Sequence, residues 1–171
     1  GIKIIDPRTG KLKEFECAPE FRHIFESTTT SAMHMDHKGL LWLAIERYGL
    51  YYVDLASKKI TKFSPDPVVS GEKMKLSFSS SLTDIRERMW VSVDGEGVAL
   101  IENGKFTMFR HRQGDTSSLS SSNVNMIYED KKGRIWIGTS GGGLNLFNEQ
   151  ERNFTFYTER EGLPNNTIYA V

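Results

Sequence analysis

Short apolar runs alternate with turn-forming residues along the whole chain, and the alternation is clearest between residues 123 and 157. Val124-Asn125-Met126-Ile127-Tyr128-Glu129 is short, β-branched and aromatic, and reads as a strand. Asp130-Lys131-Lys132-Gly133 follows as a tight turn, in which Asp bonds to the backbone ahead and Gly takes a positive φ. Arg134-Ile135-Trp136-Ile137-Gly138 is a second strand, Ser140-Gly141-Gly142 a second turn, and Gly143-Leu144-Asn145-Leu146-Phe147 a third strand. After a turn at 148–152, Asn153-Phe154-Thr155-Phe156-Tyr157 makes a fourth. No stretch keeps helical periodicity over three turns.

The same unit recurs. Trp42, Trp90 and Trp136 are separated by 48 and 46 residues, and other positions keep fixed offsets from them. Asp36, Asp84 or Asp130 stands six before the Trp, and Gly49, Gly97 or Gly143 seven after it. Gly39 and Gly133 stand three before it, and Glu87 breaks that pattern in the middle copy. There the last turn contracts to Glu102-Asn103-Gly104-Lys105, a two-residue hairpin signal. Residues 1–15 align as the end of an earlier unit, 21–63, 75–109 and 122–157 as full units, and 161–171 as the start of another.

Four short antiparallel strands in about 45 residues is the size of a β-propeller blade. Runs such as Leu40-Leu41-Trp42-Leu43-Ala44 are apolar on both faces, which suits a sheet sandwiched between neighbours. The expected fold is all-β: a partial ring of about three to four four-stranded antiparallel blades, forming one propeller segment over 1–171. The pattern yields fifteen strands, fewer than four complete blades, so the remaining blades are expected elsewhere in a longer parent chain. A raw sheet edge invites pairing, so a homodimer or edge-to-edge self-association is expected as well.

Charge and composition narrow the function. The 171 residues carry 22 Lys+Arg against 22 Asp+Glu, so no broad basic field favours nucleic acid. No apolar run approaches the ~18 residues of a membrane helix, so the segment is not expected to touch the membrane directly. The chain opens in what reads as a strand, without a leader pattern. One cysteine, Cys17, cannot form an internal disulfide, and no His stands near it in the pattern of a nucleophile. His34, Asp36 and His37 cluster, but Asp36 is the repeat Asp and more readily braces its hairpin than binds metal. No cofactor, metal site or catalytic residue is expected.

Residues 127–145, from Ile127-Tyr128-Glu129-Asp130 through Gly141-Gly142-Gly143-Leu144-Asn145, resemble the two-component regulator propeller repeat. Gly162-Leu163-Pro164-Asn165-Asn166-Thr167-Ile168 is similar to that family's blade opening, and Gly114-Asp115-Thr116-Ser117-Ser118-Leu119-Ser120 to its connecting loop. The likeness is strong in the last unit, fair around Trp42 and weak around Trp90. WD-type propellers want Asp after the Trp, where this chain has Leu43, Val91 and Ile137. The resemblance implies the periplasmic sensor of a membrane-anchored hybrid histidine kinase that controls transcription and acts as a dimer. Its ligands are oligosaccharides released from glycans. A glycan lyase or hydrolase built on a propeller, and a propeller that binds only protein, are the alternatives.

Antiparallel order places the turns between second and third strands, and the loops between blades, at one end of the sheets. The candidate ligand contacts there are Glu46, Arg47, Tyr48, Asp94, Glu96, Ser140, Arg112, Asn123 and Asn165. Arg47 offers a planar fork for a carboxylate or sulfate, and Tyr48 a ring for a pyranose face. His111 and Asn166 share the same loops.

Overall fold

The computed structural model describes residues 3–27, 30–45, 48–63 and 80–171. A two-stranded hairpin, β1 (Lys3–Ile5) and β2 (Leu12–Glu14), precedes a helix, α1 (Pro19–Ser27). The first four-stranded sheet follows as β3 (Thr30–Met35), β4 (Leu40–Ile45), β5 (Gly49–Asp54) and β6 (Lys59–Lys62). The second holds β7 (Ser81–Thr83), β8 (Met89–Val93), β9 (Gly97–Glu102) and β10 (Lys105–Phe109). The third holds β11 (Val124–Glu129), β12 (Ile135–Thr139), β13 (Gly143–Asn148) and β14 (Asn153–Tyr157). Each sheet is antiparallel with strands in chain order, as a propeller blade requires.

The blades stack face to face. Trp90, fully buried, packs with Leu100 of its own blade against Ile135, Ile137 and Phe147 of the third. One blade earlier, Trp42 packs against Met89, Val91 and Ala99 of the second in the same way. The first strands β3, β7 and β11 lie side by side, which places them at the narrow end of each wedge. Trp136 faces away from the second blade and stays half-buried beside the exposed Tyr128. Aliphatic side chains make up most of these clusters, and Trp90, Phe147 and Phe154 add large rings that fill the wedge.

The repeat Asp is a brace. In each blade one carboxylate oxygen accepts the indole Nε1–H of the repeat Trp: Asp36 to Trp42 at 2.8 Å, Asp84 to Trp90 at 2.9 Å, Asp130 to Trp136 at 3.0 Å. The other oxygen accepts two backbone N–H groups of the turn, those of Lys38 and Leu40, of Arg86 and Arg88, or of Lys132 and Arg134. The repeat Gly has its own reason. At Gly143 φ is +84°, and a Cβ there would lie 2.0 Å from the Tyr157 carbonyl oxygen. Only a residue without a side chain lets the fourth strand leave across the turn.

Two segments differ from the sequence pattern. Residues 19–27 form α1, which overlaps the start of the span 21–63 assigned to the first full unit. The helix is nine residues long, too short for the three-turn periodicity test, and it opens with Pro, which a first turn tolerates. Phe21 and Ile24, three apart, pack onto Leu43, Ile45 and Tyr51 with Phe15 and Cys17, and so cover the first blade's outer face. The segment 161–171 contains no strand; a capped 3₁₀ turn (Glu159–Glu161) leads into it. It is held by backbone bonds from Gly143 N–H to the Asn166 carbonyl and from Ile168 N–H to the Thr139 carbonyl.

Candidate ligand-binding site

At the end of the sheets formed by the turns β4–β5, β8–β9 and β12–β13, several of the expected contact residues hold the loops in shape. Glu46 and Arg47 lie outside the described residues. Tyr48 is half-buried, with its ring centroid 6.2 Å from that of His23 on α1. Asp94 is exposed, and Glu96 accepts from the Arg110 Nε at 2.8 Å. Ser140 donates its backbone N–H to the Asn123 carbonyl and its hydroxyl to Asn125 Oδ1. Asn165 Oδ1 accepts the Thr167 N–H, and Asn166 Oδ1 that of Glu159. The His111 ring bonds the Leu119 carbonyl.

Arg112 sits apart from these. Its backbone bonds Ser118, and its side chain borders a recess of about 260 Å³ with Asp115, Arg152 and Asn153. The structure therefore gathers Ser140, Asn123 and Asn165 near one blade, while Tyr48, Asp94 and Glu96 belong to the other two turns. Beneath the Ser140 turn, Asn145 is fully buried and accepts the Ser120 N–H at 2.9 Å while donating to Ser120 Oγ at 2.8 Å. This network anchors the serine-rich loop to β13 and keeps a buried amide satisfied.

The opposite end carries features the residue pattern did not single out. Between the second and third blades, Arg88, only 4% exposed, donates from Nε to Asp84 at 2.7 Å. It also reaches Glu149 of the third blade through Nη1 at 2.8 Å and Nη2 at 2.5 Å. Arg86 joins Glu149 as well. Burial pushes the Asp84 carboxyl up, but hydrogen bonds from Trp90 and Arg88 outweigh it and hold the group below its ordinary value. Between the first and second blades the ion pair among the described residues is the exposed Lys38–Glu87 contact at 2.9 Å, and a cleft of about 400 Å³ opens there. Trp42, Tyr52, Phe63 and Met89 line it, with His37, Lys38 and Glu87 at its rim.

The His34–Asp36–His37 group is taken up by the fold. His34 Nε2 lies 2.6 Å from Thr83 Oγ1 across the seam, and burial lowers its pKa. Asp36 braces Trp42. Among the described residues no group of three or more His, Cys, Asp or Glu could hold a metal ion.

Blades of this order and seam define a β-propeller segment, and the known structures agree. The chain superposes on the extracellular domain of a hybrid two-component system from B. thetaiotaomicron at TM-score 0.67 and 21% identity, over 91% of this chain and 20% of that one. A one-component system's extracellular domain from the same organism gives TM-score 0.66 at 17% identity, over 92% of this chain and 19% of that one. An inactive H270A virginiamycin B lyase from Staphylococcus aureus, crystallised with quinupristin, gives 0.59 at 16%, over 84% and 44%. The chain thus spans about a fifth of the length of the first two. A search of curated proteins finds no match. Residues 118–141 match the family described as two component regulator propeller, so this stretch is a repeat of that type. It covers the serine-rich loop, β11, the Asp130 turn and β12.

Proposed function

We propose that the chain is a ligand-sensing segment of an extracytoplasmic propeller in a hybrid two-component histidine kinase, and that glycan-derived oligosaccharides are its ligands. The observation that carries this reading is the two-component regulator propeller repeat at 118–141, set within a propeller like the extracellular domains of such systems. In this reading the segment lies in the periplasm, other blades of the parent chain complete the ring, and a kinase across the membrane transmits the signal to transcription. The segment has no cofactor and does no chemistry itself. In the same proposal the turn-and-loop end, with Glu46, Arg47, Tyr48, Asp94, Glu96, Ser140, Asn123 and Asn165, offers polar and ring contacts to a sugar, and Arg112 offers its guanidinium from the separate recess.

Receptor dimerisation belongs to the same proposal and is supported by exposed apolar side chains on the hairpin, Ile5 and Leu12. Light scattering on the chain is expected to show at least a dimer; a stable monomer would remove that part. The functional test is autophosphorylation of the parent kinase in membranes, with a panel of oligosaccharides added outside. A rise with one sugar class supports the reading, and no response across plant, host and microbial glycans defeats it. A propeller lyase is the second reading, favoured by the virginiamycin B lyase likeness. Product formation from polysaccharide incubated with the protein would establish it.

A further inference from the structure

The two seams between blades can be compared position by position, because the same repeat builds both. At the second seam Arg88 and Arg86 of one blade close on Glu149 of the next. At the first seam Leu40 stands in the place of Arg88 and Lys38 in that of Arg86, four and two residues after the repeat Asp. Counting six from the repeat glycines Gly97 and Gly143, Asn103 stands where the third blade has Glu149. The counterparts of Arg88 and Glu149 are therefore both uncharged, Lys38 turns to Glu87 instead, and the 400 Å³ cleft lies at this seam between Leu40 and Asn103. That size falls within the ~300–1,000 Å³ of small-molecule pockets.

The lining has a definite chemistry. Trp42 lies 5.2 Å from Tyr52 and 5.5 Å from Phe63, centroid to centroid, and all three rings are half-buried along the cleft. The indole N–H of Trp42 is taken by Asp36, so this side chain offers its ring rather than a donor. The charged groups of the lining are matched: Lys38 pairs with Glu87 at 2.9 Å, Glu102 with Arg152 at 3.1 Å, and Arg86 and Arg88 with Glu149. A compensated rim gives no net pull on an ion, while its carboxylates and the Asn103 amide can exchange hydrogen bonds with hydroxyls. An apolar floor with a neutral polar rim fits a flat ring with C–H groups on one face and hydroxyls around its edge.

We infer that this cleft binds one or two uncharged sugar rings, stacked on Trp42, Tyr52 and Phe63. The ligand class rests on the proposed function; the location, at the end opposite the expected contacts, does not.

The test rebuilds the missing bridge. Leu40→Arg with Asn103→Asp restores a cation and an anion across the seam, and Asp-Gly suits the same hairpin turn. Tyr52→Leu removes a ring without adding charge. Calorimetric titration uses the chain with its flanking blades and a panel of neutral tetrasaccharides (cello-, xylo-, manno- and arabino-) beside acidic ones. One neutral member is expected to bind, at least tenfold more weakly in either variant, with Arg110→Ala at the other end unchanged. Neutral-sugar binding unaffected by both variants but lost in Arg110→Ala overturns the cleft and leaves the glycan reading standing. Binding only of acidic sugars overturns the neutral class, and no binding by any sugar overturns both. Should the double variant fail to fold, Tyr52→Leu alone carries the test.

Discussion

Replacing Arg88 by Met tests how the second and third blades are joined. Met keeps much of the stem's length and loses the guanidinium, leaving the Asp84 carboxylate 1% exposed without its cation. Breaking one partner out of a buried ion pair costs about 3–5 kcal/mol. Asp84 keeps the Trp90 indole and two backbone N–H donors, which places the loss near the lower figure, about 3 kcal/mol. For a chain of this size that corresponds to a fall in Tm of about 6–12 °C. The protein holds its own control at the same repeat position. Arg134 pairs with Asp130 at 2.6 Å, but its side chain is 48% exposed, so Arg134→Met is expected to cost under about 1 kcal/mol. Urea unfolding followed by tryptophan fluorescence measures both. Equal losses in the two variants, or less than about 0.5 kcal/mol for Arg88→Met, would show that apolar contact alone holds the seam and refute the reasoning.

Three further outcomes are expected. Asp84 and Glu149 have folded pKa values below their unfolded ones, with burial opposing and hydrogen bonds to Trp90 and Arg88 prevailing, so their contribution is full above about pH 5 and is lost as pH falls through those lowered values. Urea midpoints from pH 7 to 2 should drop on the acid side, and Asp84→Asn should flatten that limb while lowering stability at neutral pH. Gly143→Ala meets the Tyr157 carbonyl and should cost about 3 kcal/mol or more, whereas Gly141→Ala, with φ +78° and open space, should cost about 1 kcal/mol; thermal melts separate them. Glu87 sits at φ +59° where the other blades have Gly39 and Gly133, so Glu87→Gly should stabilise by about 1 kcal/mol, and an unchanged or lower Tm would show that its exposed pair with Lys38 outweighs the backbone strain.

The blades were legible because their determinants are local and repeated. The Asp–Trp offset of six residues is a hydrogen bond, and the Gly seven beyond the Trp is a steric requirement, so both recur wherever the hairpins do. Helix α1 escaped because its apolar residues Phe21, Ile24 and Phe25 span little more than one turn, too short a stripe to stand out from a strand-rich background. The seam chemistry escaped for a different reason. Arg88 and Glu149 lie 61 residues apart and meet only through blade packing. Leu40 in the register of Arg88 and Arg134 was the one available signal, visible once the repeat is aligned. Of the expected contacts, several proved to be loop supports, as turn residues with Asn and Ser commonly are.

The account depends on each tryptophan facing the next sheet along the chain. Fluorine NMR of protein labelled with 5-fluorotryptophan reads this directly through the shift of each resonance between H₂O and D₂O, assigned by single Trp→Phe changes. Trp90, sealed between the second and third blades, is expected to show no solvent shift, while Trp42 at the open cleft and Trp136 on the third blade's outer face both shift. A solvent-sensitive Trp90, or three equally shielded rings, would contradict the wedged arrangement of the blades.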